Sequence, residues 1–182
     1  MVRSILVLLI LLLIPLSVLS EIEKVGEPCE NGICLAWWPK LTPVKGWHHE
    51  RGPSFRNAIN IQVPDGSTFS DAETVIYARA LYKPAVPEIK SLDFLIKDDQ
   101  EEFMGRDPAI TVTEVRALKT GDGRLLKSYT FFPKSEGNWE QVSYGEESDF
   151  YLIFTISSRS RAGYEKTLSI YEQYIGQYRE GP

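Results

Sequence analysis

Residues 150–178 constrain the fold more than any other part of the chain. Their first half, Phe150-Tyr-Leu-Ile-Phe-Thr-Ile-Ser157, is large and apolar on both alternating faces, the pattern of a central strand covered above and below. The second half places Tyr164, Leu168, Tyr171, Ile175 and Tyr178 on one stripe of a 3.6-residue helix, and that stripe must be buried. A strand with two dry faces needs a neighbour at each edge and a layer on each side. The sequence therefore predicts an α+β body in which a terminal helix lies on a sheet.

The N-terminus sets the compartment. Met1-Val-Arg3 is a short basic start, Ile5 to Leu19 is a run of Ile, Leu and Val broken only by Pro15 and Ser17, and Val18-Leu-Ser20 supplies a cleavage site. This pattern predicts a signal peptide over residues 1–20. The alternative is an uncleaved anchor, against which the apolar run of about 15 residues falls short of the roughly 20 that span a bilayer. No Cys lies near the cleavage point, so a lipoprotein is not indicated. Removing 20 of the 182 residues leaves 162, enough for one domain. Loss of Arg3, the one charged residue removed, takes the formal net charge from −5 to −6. An acidic chain without a basic run is ill suited to nucleic acid, whose binding rests on phosphate neutralisation, and to anionic lipid surfaces. The mature chain contains no apolar stretch of spanning length. The expectation is a periplasmic or extracellular monomer, with an N-terminal extension over 21–44 and a globular domain over 45–182.

Glu21 to Pro28 is polar and reads as a mobile lead-in. The two cysteines, Cys29 and Cys34, flank Asn31-Gly32 and in an exported protein read as a disulfide closing a tight turn. Their spacing is not that of a C-x-x-C redox motif, and zinc would need two further ligands. Asn57–Val63 alternates as a strand with one wet face, and Pro64-Asp-Gly-Ser67 is a turn. Glu73–Lys83 is a strand ended by Pro84 and Pro87. Ser91 caps a helix whose stripe is Leu92, Leu95, Ile96, Asp99 and Phe103, with Gly105 as its stop and the Lys97–Glu102 charges as its wet face. Ile110–Leu118 and Leu125–Phe132 form a hairpin across Gly121-Asp-Gly123, and Trp139–Tyr144 is a further strand. The sum is an antiparallel sheet of about six strands, flanked by a mid-chain helix and a C-terminal helix.

This layout resembles the PsbP-like superfamily. The resemblance runs from Trp47 to Tyr178 and rests on Lys45-Gly46-Trp47 as the entry, Ser91–Phe103 as the mid-chain helix, and Phe150–Ile156 with Tyr164–Tyr178 as the closing strand and helix. The segment from Trp47-His-His-Glu50 to Tyr77 is similar to a group of secreted bacterial proteins without assigned activity. The superfamily includes the extrinsic subunit of photosystem II and a small Ran-binding nuclear import factor. Membership implies an α/β/α sandwich and a binding or assembly role outside the cytoplasm, and it carries over no catalytic residue.

The residues themselves offer a thin catalytic inventory. There is no G-x-S-x-G, H-E-x-x-H, P-loop or G-x-G-x-x-G. The paired acids Asp98-Asp99, Glu101-Glu102 and Glu146-Glu147 read as solvated surface charge, and no cofactor is expected. His48 and His49 are the only histidines, and on a strand they face opposite ways, so His48 and Glu50 make two metal ligands at best. The leading expectation is a non-catalytic binding module for a protein or small molecule. Its rim would combine Trp37, Trp38, Trp47, His48 and His49 with Asp65, Ser67 and Asp71 of the following loop, because loops on a rigid sheet carry recognition. The alternative is a hydrolase using Ser67 or Ser70 with a histidine and Asp65 or Asp71. N-terminal sequencing of the exported protein is expected to begin at Glu21; retention of Met1 would indicate the anchor.

Overall fold

The computed structural model describes residues 22–29 and 32–180. The predicted signal segment and Asn31 of the predicted turn lie outside the described residues, as does the side chain of Cys29, on which the disulfide to Cys34 depends. The described chain is an α+β fold with one antiparallel sheet of nine strands and three α-helices. In chain order these are β1 (Ile22–Cys29), β2 (Gly32–Pro39), β3 (Trp47–His49), α1 (Arg51–Asn57), β4 (Asn60–Pro64), β5 (Thr74–Tyr82), α2 (Leu92–Arg106), β6 (Thr111–Lys119), β7 (Leu125–Phe132), β8 (Trp139–Glu146), β9 (Phe150–Ser158) and α3 (Arg161–Gly176).

The sheet runs β1-β2-β5-β9-β8-β7-β6, and β4 shares the outer edge of β5 with β2 while carrying β3 on its far side. Strand β9 is central, paired with β5 from Tyr82↔Phe150 to Thr74↔Ser158 and with β8 from Glu146↔Tyr151 to Trp139↔Ser158. Only Phe150 of its nine residues is not buried, as its two-faced apolar pattern requires. The sheet has three more strands than the six expected. Glu21–Pro28, expected to be mobile, lies largely within β1, because Val25 packs with Ala36 and Trp38 of β2 against Phe55 and Ala58. The short helix α1 occupies the segment before β4, so the strand expected from Asn57 begins at Asn60. Helix α2 continues through Gly105 to Arg106, so that glycine is not its stop.

The two sheet faces are closed differently. On one face α3 lies along β5, β9 and β8, and a single core joins Ile76, Ala78 and Ala80 of β5 to Leu152, Phe154 and Ile156 of β9 and to Tyr164, Tyr171, Tyr174, Ile175 and Tyr178. Gly163 lets the start of α3 approach, since a Cβ there would stand 2.5 Å from Ser158 Oγ and 2.9 Å from Thr74 Oγ1. At its other end the β6–β7 turn closes over the helix: Gly121 N–H donates to the Tyr178 carbonyl at 2.8 Å, and a Cβ on Gly121 would meet the Gly176 carbonyl at 2.5 Å.

Tyr174, which the predicted stripe does not include, is buried beside it, and each of the four tyrosines from 164 to 178 buries a ring and places its hydroxyl on an acceptor. Tyr164 donates to Gln141 Oε1 at 2.8 Å, and Tyr178 to Glu147 Oε2 at 2.7 Å. Tyr171 donates to the Phe154 carbonyl at 2.7 Å and accepts from Ser143 Oγ at 2.9 Å, while Tyr174 makes a longer contact of 3.4 Å with the Asn60 carbonyl. Burial raises the Tyr164 phenol to about 12 and pushes Tyr171 and Tyr174 higher, so all three stay neutral donors. Replacing Tyr171 by Phe removes its bonds to the Phe154 carbonyl and to Ser143 Oγ, which keeps Ser128 Oγ as a partner at 2.8 Å, and is expected to cost about 1 kcal/mol in a urea unfolding titration. Tyr174→Phe, removing a longer bond, is expected to cost less; equal losses would contradict this ranking.

Candidate ligand cavity

The residues expected to form one binding rim are split between the two faces of the sheet. Trp37 sits on the α3 side, 5.3 Å from the Tyr82 ring and 6.5 Å from that of Phe150. Trp38 points the other way, is 1% exposed, packs edge-on against Phe55 at 5.6 Å and donates Nε1–H to Glu23 Oε2 at 3.1 Å. Trp47 is half-buried against the α3-side core.

His48 and Asp65 do meet, with Nδ1 3.4 Å from Asp65 Oδ1 and Nε2 3.5 Å from Glu50 Oε1. His49 faces away, its Nε2 3.0 Å from Ser54 Oγ, which is fully buried and accepts the Ile61 N–H at 2.9 Å. Burial and the neighbouring Arg51 hold His49 below its ordinary pKa, so its role here is that of a neutral structural partner. Asp71 Oδ1 accepts the Thr68 N–H at 2.6 Å, and Ser70 Oγ pairs with Thr68 Oγ1 at 2.9 Å. Ser67 closes a turn through its N–H on the Pro64 carbonyl. Among the described residues no hydrogen bond joins either histidine to Ser67 or Ser70, and no three His, Cys, Asp or Glu side chains form a metal site.

The structure brings a different set together on the face opposite α3. There the apolar contacts break into three clusters. Leu95 and Ile96 of α2 cover Phe131, Val142, Tyr144, Tyr151 and Ile153; the β1–β2 hairpin packs on α1; and Ile61 and Val63 of β4 pack on Ala72 and Phe69. Between them lies a cavity of 710 Å³. Its floor is the cross-strand row Tyr77, Thr155, Val142 and the row Val75, Ser157, Glu140, which the β5–β9–β8 register sets side by side. Asp99, Glu102, Phe103 and Arg106 of α2 make one wall, and Asn57, Ile59 and the 69–73 segment make the other.

The reason β9 does not read as wholly apolar lies here. Its cavity-side residues run Tyr151, Ile153, Thr155, Ser157, apolar under α2 and hydroxylated where α2 no longer covers them. Asp99 belongs to the buried stripe of α2 and accepts the Tyr144 hydroxyl at 2.5 Å. Burial lifts its carboxyl above the ordinary range, opposed by that hydrogen bond and by Arg79. Glu140 accepts from Ser157 Oγ at 2.5 Å, and burial raises it too, against hydrogen bonds from Ser157 and Asn138. Tyr77 is raised chiefly by burial and then by Glu140, so its phenol stays protonated.

Asp99 lies on the helix stripe that the sequence shows, but its carboxyl, expected to be solvated, is partly buried. A carboxylate among Leu92, Leu95, Ile96 and Phe103 was the available signal. Glu140 and Arg79 carried no comparable one, because only the strand register brings them to the same face. No family model matches the chain, and no curated protein is significantly similar to it.

The two raised carboxyls fix a pH dependence. Between the unfolded value and the higher folded value the folded protein binds the more protons, so stability falls as pH rises through the range just above ordinary carboxylates. Urea midpoints are expected to decline across that window, and Asp99→Asn with Glu140→Gln is expected to flatten the decline. Glu147, also raised by burial, keeps a remainder. An unchanged slope in the double variant would contradict the assignment.

Proposed function

We propose that this chain is an exported, non-catalytic binding module whose ligand occupies the cavity between α2 and the 69–73 segment. The observation that carries the reading is a cavity of 710 Å³ that combines apolar walls with a few convergent polar groups, within the roughly 300–1,000 Å³ of small-molecule sites. Rigid sheet residues supply its floor, so the site is formed before a ligand arrives, and ordering costs on binding stay small. Two of its acids, Asp99 and Glu140, are oriented by hydroxyl donors on the sheet, Tyr144 and Ser157, which holds them in place toward a ligand.

Export rests on the N-terminal pattern of residues 1–20, and the PsbP-like relationship on the sequence resemblance from Trp47 to Tyr178. An antiparallel sheet with helices on both faces accords with that relationship. Among the described residues no helix is long and apolar enough to cross a membrane.

Purified protein incubated with small molecules extracted from its host, filtered and then denatured, is expected to release retained compounds detectable by mass spectrometry. Val75→Trp, which fills the cavity from β5, is expected to retain none while unfolding cooperatively. Equal retention by the variant, or none by either protein, would overturn the reading.

A further inference from the structure

The fixed charges of the cavity point to the chemistry of its occupant, on the reading that it is a ligand site. Seven ionisable side chains other than tyrosine line it: Glu73, Arg79, Asp99, Glu102, Arg106, Glu140 and Arg159. Four are exposed and already engaged. Glu102 and Arg106 pair with each other across one turn of α2, Arg159 donates to the Ser70 carbonyl at 2.6 Å, and Glu73 Oε1 accepts from Ser160 Oγ at 2.5 Å.

The remaining three are half-buried and make no direct ion pair among the described residues, although the charge of Arg79 reaches Asp99. Arg79 stands on β5 among Tyr77, Asp99 and Ile153 of the cavity lining, and its guanidinium makes no hydrogen bond or ion pair among the described residues. Asp99 and Glu140 receive hydrogen bonds from neutral groups, and among the described residues no cation lies within ion-pair distance of either. A desolvated charge without an opposite partner is costly, and the cost is recovered when a bound group supplies that partner.

The signs select the ligand. A plain anion would satisfy Arg79 and be repelled by two carboxylates, and a plain cation would meet the reverse problem. A molecule carrying both signs answers all three groups, and the apolar wall of Ile59, Phe69 and Val75 suits its uncharged part. We propose that the cavity binds a zwitterion with a free ammonium and a free carboxylate, the chemistry of an amino acid or short peptide. Arg79 takes the carboxylate in the forked geometry that guanidinium favours. Asp99 and Glu140 take the ammonium, and Tyr77 and Thr155 lie on the floor between them.

The test uses the purified protein and a pool of L-alanyl dipeptides, followed by backbone amide NMR shifts. The free pool is expected to shift amides of β5, β9 and α2. The same pool N-acetylated, or C-amidated, is expected to bind at least about tenfold more weakly, the loss of one charged contact. Arg79→Gln should abolish the preference for a free carboxylate while keeping the preference for a free amine, and Glu140→Gln should weaken the latter. Capped pools binding as well as the free one would overturn the ligand class and leave the cavity reading standing. A free pool without effect, where compounds from host extract are still retained, would do the same. Absence of both would remove the binding reading as well.

Discussion

The fold depends on the seating of four tyrosines of the C-terminal segment on the middle of the sheet. Each ring supplies the apolar bulk that closes the face of β5, β9 and β8, and each hydroxyl must find an acceptor once it is taken from water. The partners are spread over the sheet: Gln141 and Ser143 on β8, the Phe154 carbonyl on β9, the Asn60 carbonyl on β4, and Glu147 beyond β8. A greasy stripe of leucines would permit α3 to slide. Tyrosines with five separated partners fix both its rotation and its position along the strands. Close contacts at Gly163 and Gly121 hold its two ends, so the helix is located by directional bonds in the middle and by steric limits at each extremity.

That tight face makes the other one intelligible. Helix α2 is short of buried residues, with only Leu95 and Ile96 fully enclosed, and it covers the β7–β8–β9 side of the sheet. Helix α1 and the hairpin cover the opposite side. The strip between is floored by hydroxyls and acids in place of aliphatic side chains, so water can enter where packing would otherwise close. An interior that leaves a guanidinium and two carboxyls without a direct ion pair gives up stability at that place. Such a departure from local consistency, set in the concave part of an otherwise well-satisfied sheet, is what a binding site requires.

Much of the framework was legible in the sequence. Strands β5 to β9 and helices α2 and α3 each announce themselves by periodicity, and the Ser91 cap is present as read, its Oγ accepting the Phe94 N–H at 3.1 Å. Strand β4 and the turn after it also show in the sequence, but the N-terminal segment before them was less legible. Trp37 and Trp38 read either as closure of one end of the core or as rim aromatics, and adjacency on a strand sends one ring into an apolar cluster on each face. The cavity escaped for a related reason. Tyr77, Thr155 and Val142 lie in one row only because β5, β9 and β8 pair at Tyr77↔Thr155 and Val142↔Thr155, a long-range register that local pattern does not encode. Within a single element the charge of Asp99 inside an apolar stripe was the one visible clue.

The central claim is that the same sheet is dry under α3 and open to small molecules on its other side. Neighbouring residues of β5 test it directly, since Val75 lines the cavity and Ile76 is fully buried beneath α3. Cysteines placed singly at these positions are to be timed in their reaction with a small thiol reagent under native conditions. The account predicts that Val75→Cys is modified without unfolding and that Ile76→Cys reacts only at the rate of global opening. Equal protection of both, or faster reaction at position 76, would contradict it.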